Sequence, residues 1–282
     1  MIMPVPASRV MAMMSDVGTE TLRGRIRALV GSVALLCCAL PAQAQISIEQ
    51  LELRFPSGSG GAATAPLSFR INNVSAAAVQ VTIRLADWDR SEAGENRYYE
   101  PGTQPGSCAG KLTVFPMTLR IEAGRAEDVR VTAAPDAGAC HSLLFVEMPP
   151  PPATANRGAN ITYNLRYGIK VYVEPELAAM GELVEAVVAT ARTEAGRVDT
   201  LQALFRNTGL VQAIARGHVE VRREDDSVVE RIPVEDFPVL GGATRRLRVP
   251  LPALASGRYA VILFLDLGTE ELLAAQALLE IP

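Results

Sequence analysis

The stretch "NITYNLRYGIKVYVEP", Asn160 to Pro175, carries apolar side chains at Ile161, Tyr163, Leu165, Tyr167, Ile169, Val171 and Val173, with Thr, Asn, Arg, Gly, Lys and Glu at most of the positions between. Period-two alternation of this kind predicts a half-buried β-strand. Ordinary strands run to about six residues, so one that fills most of this segment is either shared between two sheets or leaves its apolar face open to something else. What that face serves is the question the rest of the chain must answer.

Upstream lie short runs rich in Val, Ile, Leu and Thr, among them "ISIEQLELRF", "PLSFRINNV", "AVQVTIRLADW", "KLTVFPMTLRI", "EDVRVTA" and "HSLLFVEM", separated by turn segments such as "PSGSGG" and "EAGR". A second set follows Pro175: "LVEAVVATA", "TLQALFRNTG", "HVEVRRED", "SVVERIPV", "RRLRVPLP", "GRYAVILFLDL" and "LLAAQALLEI". The spacing predicts an all-β protein of sandwich type. The pattern breaks near "EPELAAMGE", which divides the chain into domains at 45–175 and 176–282. "LLAAQALLEI" would pass for a helix on propensity, but its place after the hairpin-like "GTEE" favours a last strand.

Residues 1–44 read as an export signal. Arg23, Arg25 and Arg27 precede the apolar run "ALVGSVALLCCAL", and Pro41 leads into Ala42-Gln43-Ala44, an A-x-A cleavage site. The run is short for a membrane span and is flanked by basic residues on one side only, so an uncleaved anchor is the lesser alternative and no span is expected in the mature chain. Met11, Met13 and Met14 are alternative starts. Without residues 1–44 the chain holds 23 basic and 29 acidic residues, which does not suggest a nucleic-acid partner. Cys108 and Cys140 are the two cysteines left. An even pair in an exported chain reads as a disulfide, with two separate buried thiols as the alternative. The compartment implied is the periplasm or the exterior.

No catalytic constellation is present. His141 and His218 are the only histidines, too few for a zinc or copper site of three or four clustered ligands. There is no G-x-S-x-G elbow, Walker A loop or dinucleotide fingerprint. Neither an enzyme nor a cofactor is expected.

Four segments, taken in order, resemble the periplasmic chaperones of the chaperone-usher pilus pathway, the PapD-like family. They are "RINNVSAAAVQVTIRLADW", "VFPMTLRIEAGRAEDVRV", "HSLLFVEMPPP" and "YGIKVYVEP". The resemblance spans about Ile46 to Pro175 and implies two Ig-like β-sandwiches, the first PapD-like. It also implies a function: capping of pilus or other secreted subunits by donor-strand complementation, in which the last strand of the first domain completes a subunit's fold. On this reading Ile161, Tyr163 and Leu165 are the donated side chains, and Lys170 anchors the subunit's terminal carboxylate. Lysine is scarce here, with only Lys111 and Lys170 in the sequence. The resemblance further implies an outer-membrane usher as a second partner, and neither ATP nor metal. The chain departs from the family pattern in two places. The family's first-strand arginine falls near Glu52, with Arg54 two residues on as its substitute, and Glu174 stands where an interdomain arginine is usual, leaving Glu147 as the matching acidic member. The alternative is an exported two-domain Ig-like protein that uses the same strand for adhesion or self-assembly.

Overall fold

The computed structural model describes residues 46–56, 65–149, 165–194 and 196–282, all within one compact unit. The export signal, Ile161 and Tyr163 lie outside the described residues. Every regular element among the described residues is a strand.

The first sandwich contains β1 (Ile46–Ile48), β2 (Glu52–Pro56), β3 (Leu67–Asn73), β4 (Val79–Arg90), β5 (Asn96–Tyr99), β6 (Leu112–Phe115), β7 (Thr118–Ile121), β8 (Ala126–Ala133), β9 (Cys140–Glu147) and β10 (Arg166–Glu174). One sheet has the order β1-β3-β8-β6; the other runs β2-β10-β9-β4-β5, with β7 paired to the start of β4. Alternation decides which side chains meet between the sheets. Ile169, Val171 and Val173 of β10 join Phe55, Ile83, Leu144 and Val146 in a core with Phe69, Ile71, Val129 and Val131 from the facing sheet.

The second sandwich holds β11 (Gly181–Thr193), β12 (Gly196–Asn207), β13 (Ala213–Arg223), β14 (Val228–Val239), β15 (Thr244–Pro250), β16 (Gly257–Asp266) and β17 (Leu272–Ile281). Its sheets run β11-β12-β15 and β14-β13-β16-β17 around a core that includes Leu201, Phe205, Val219, Val221, Val261 and Leu263. The terminal segment "LLAAQALLEI" is the strand its position suggested, paired along its length with β16.

Strand β9 is buried on both faces, which an antiparallel strand with one wet side would not be. Leu144 and Val146 enter the first core, while Leu143 and Phe145 on the opposite face cluster with Ala86, Trp88, Tyr172 and Leu240. Leu240 follows β14 of the second sandwich, so this third cluster is where the two sandwiches meet. Cys108 and Cys140 are joined by a disulfide with Cα atoms 5.2 Å apart. The loop before Cys108 is organised by buried Asp87, whose carboxylate accepts from the Thr103 and Gln104 amides and the Ser107 hydroxyl.

Candidate functional site

Strand β10 changes character along its length. Its C-terminal part, Lys170 to Glu174, lies between two partners, antiparallel to β9 and parallel to β2. Its N-terminal part, Arg166 to Ile169, pairs with β9 alone among the described residues, and the last contact on the other side is the Lys170 amide donating to Leu51 O at 2.9 Å. Among the described residues the sheet edge is therefore open from Ile169 backward. Unpaired N–H and C=O groups on such an edge are a template for another strand. The apolar alternation splits at the same place. Ile169, Val171 and Val173 belong to the protein's own core, Tyr167 is half-buried with its hydroxyl on Ile46 O, and Leu165 is 50% exposed.

The other face of β10 turns toward the junction of the sandwiches. Lys170 places its ammonium 4.5 Å from the centre of the Trp88 ring, and Arg90, two residues along β4, places its guanidinium carbon 5.5 Å from the same ring. Burial holds the Lys170 ammonium below the usual lysine range, and the charge of Arg90 adds to the effect, against an opposing pull from Glu52. Trp88 is fully buried and meets Tyr172 and His141 edge to face. Burial also holds His141 below the ordinary histidine range, although its Nε2 lies 3.1 Å from the Trp88 carbonyl. Neutral His141 donates there through Nε2–H.

Arg54, three residues along from Leu51, is bound within the protein. Its three guanidinium nitrogens donate at 2.6 Å to Glu52, Glu174 and Gln212, and the group lies 4.4 Å from the centre of the Tyr172 ring. Gln212 belongs to the second sandwich; its amide donates to Glu174 and its side chain to the Tyr172 hydroxyl. Burial pushes the Tyr172 phenol up to about 12, so it stays protonated. In this network the acid lies on β10 and the arginine on β2. Glu147 instead faces Arg84 and Arg166 at the open end of the sheet.

Sequence reasoning did not single out Trp88, Arg90, Gln212 or Arg245 for the site. Arg245, the second residue of β15, lies against Gly94 in the β4–β5 hairpin, so closely that a Cβ on Gly94 would fall 1.5 Å from its Nη1. The next residue, Arg246, docks the hairpin by donating from its amide to Glu92 O at 2.8 Å and from its side chain to the Glu92 carboxylate at 3.2 Å.

Fold and site together define a protein of two β-sandwiches in which, among the described residues, a strand edge without a partner leads into a cationic, aromatic junction. No family model matches the chain, and no curated protein does. Among solved structures it is similar to a chain of a chaperone–tip adhesin complex of CFA/I fimbriae biogenesis, with 14% identity, a TM-score of 0.48, and 85% of this chain and 100% of that one covered. It is also similar to the class 5 fimbriae chaperone CfaA, at 13% identity and a TM-score of 0.47 over 84% of this chain and 99% of that one. A third is a chain of the CsuC–CsuE chaperone–tip adhesion subunit pre-assembly complex from the archaic Csu pili of Acinetobacter baumannii, at 15% identity and a TM-score of 0.40 over 72% and 90%.

Proposed function

We propose that the protein is a periplasmic chaperone that caps pilus or related secreted subunits by donating strand β10 to them. The open edge of β10 supports this reading most directly. Among the described residues pairing on that side stops at Lys170, and the exposed side chain of Leu165 continues the apolar alternation beyond the protein's own core. A strand added along Arg166–Ile169 gains main-chain hydrogen bonds whatever its sequence, while alternate apolar side chains set its register. Ile161, Tyr163 and Leu165 are the side chains proposed to enter the subunit, and Lys170 the cation proposed to hold its terminal carboxylate. Export to the periplasm through a signal at residues 1–44, and delivery to an outer-membrane usher, belong to the same reading.

Co-purification tests it. Exported protein is expected to carry a stoichiometric Ig-like subunit, and Leu165→Glu is expected to lose that subunit while its melting temperature stays within about 2 °C, since the charge meets a partner's groove rather than this protein's core. Loss of folding in Leu165→Glu would sink the assignment of that residue. Recovery of wild-type protein as a self-paired oligomer without a subunit would favour adhesion or self-assembly instead.

A further inference from the structure

The outermost strand of a sheet exposes unpaired N–H and C=O groups that take up another strand unless short length, charge, proline or cover prevents it. Most edges of this protein are guarded. Strand β1 has three residues and β5, β6 and β7 have four each. Strand β2 carries Glu52, Arg54 and Pro56, β11 carries Glu182, Glu185 and Arg192, and both β14 and β15 combine proline with charge. Strand β17 lacks these guards. Its ten residues, LLAAQALLEI, hold one charge, at Glu280, and no proline. It pairs with β16 on one side, and β11 of the facing sheet passes alongside it without forming a ladder. Leu272 and Leu278 are 64% and 79% exposed, Leu278 being the most exposed large apolar side chain among the described residues. Both stand on the outer face of the sheet with Ala274 and Gln276, beside half-buried Ile262 and Phe264 of β16. The Glu280 carbonyl shows which backbone groups face outward, because it accepts from Arg197 Nη2 of β12 at 3.2 Å. Alternate residues of a strand turn these groups to opposite sides. Leu272, Ala274, Gln276 and Leu278 therefore face the same open side as Glu280, and Arg197 closes that side beyond Leu278.

From this edge we infer that β17 pairs with β17 of a second copy of the chain, antiparallel and about a two-fold axis through Ala275. The free stretch decides both occupant and register. Leu272 to Leu278 overlaps fully with its own copy only when Ala275 meets the partner's Ala275. Leu272 then lies opposite the partner's Leu278, and Leu278 opposite the partner's Leu272, with Ala274 and Gln276 matched in the same way. All four are residues whose backbone groups face outward and whose side chains share the outer face. A slip of one residue would set outer side chains against inner ones. A foreign strand would have to bring its own apolar side chains at this spacing, whereas a second copy supplies them by symmetry. The paired stretch contains no charge. At its ends Glu280 approaches the partner's Glu270, a like-charge contact that salt screens. The contact is isologous and uses one edge of each copy, so the assembly closes at two. The inference does not rest on the strand-donation reading: β17 belongs to the second sandwich, and the paired stretch includes no residue of β10.

Sedimentation equilibrium of the exported protein tests this, taken to about 1 mM because so small an interface belongs to the weak class. A reversible monomer–dimer equilibrium without larger species is expected, tightening as sodium chloride is raised. Leu278→Lys and Gln276→Pro are each expected to weaken the dimer roughly tenfold or more, the first by charging an apolar contact, the second by removing an outward N–H that the β16 ladder does not use. Leu165→Glu is expected to leave it unchanged. Circular dichroism and melting in dilute solution separate loss of pairing from loss of fold; should Gln276→Pro unfold, Leu278→Lys, at an exposed position, decides. Cross-linking reads the register. The Leu272→Cys and Leu278→Cys proteins, oxidised with copper phenanthroline, are expected to give a covalent dimer when mixed and far less when either is alone; equal yields alone and mixed overturn the register. A wild type that stays monomeric overturns the inference, whatever else takes the edge. So does a dimer indifferent to Leu278→Lys, a dimer weakened by salt, or one lost in Leu165→Glu, which would assign self-association to β10 instead.

Discussion

The Lys170 ammonium is half-buried over an indole and beside another cation, a position that works against its charged form. The sign follows from its depressed titration. Folding penalises the charged form at every pH below the folded value, and the penalty disappears as pH rises through the usual lysine range. Lys170→Met, which keeps the hydrocarbon stem on Trp88, is therefore expected to raise the melting temperature at neutral pH while subunit capture falls tenfold or more; calorimetry and co-purification read the two effects separately. Glu220 is the opposite case. Its carboxylate is 3% exposed and bonded to Arg222 and Arg231, which hold it down to about 2. The stability it contributes is complete above the ordinary glutamate range near 4.5 and is lost as pH falls toward about 2. Urea midpoints measured from pH 5 to pH 2 are expected to fall less steeply in Glu220→Gln than in the wild type, although the variant starts lower at pH 5.

At the scale of elements, the disulfide ties the loop after β5 to the start of β9 across 32 residues, and closing a loop of that length contributes about 3–4 kcal/mol in the chain-entropy description. Exported protein is expected to migrate differently on reducing and non-reducing gels, to show no free thiol when denatured without reductant, and to lose stability of that order in Cys108→Ser/Cys140→Ser. Most strands were legible in the sequence because one-sided burial writes a period of two, as in "RYGIKVYVE" and "TLQALFRN". Strand β5 was not: Asn96, Arg97 and Tyr98 are exposed, and a four-residue hairpin arm with little core leaves no pattern. Alternation also could not say that Leu165, just before β10, is exposed while Ile169 is core, because the same apolar period runs through both. Lys170 stood out through scarcity. Arg90 did not, being an ordinary member of an arginine-rich chain that reaches Trp88 and the Pro238 carbonyl only in the fold.

For the whole molecule, the joint between the sandwiches is a small apolar cluster around Leu240 flanked by polar clasps at Arg54–Glu174–Gln212 and Glu92–Arg246. Arg54→Gln removes the centre of the first clasp and leaves the Glu174 carboxylate, 19% exposed, with one partner fewer. The expected cost is about 1–2 kcal/mol after allowance for solvent, together with a broader distribution of interdomain distances in small-angle scattering. Strand β2 has a mechanical consequence. The chain enters the first sandwich through β1 and β2 and leaves it through the end of β10, and β2 runs parallel to β10 over the five register pairs from Lys170–Glu52 to Glu174–Pro56. Tension between the two ends of this sandwich therefore loads those rungs in shear, all at once, instead of unzipping them one by one. A carrier whose cargo is pulled away along the neighbouring open edge would part from that cargo rung by rung while its own frame holds.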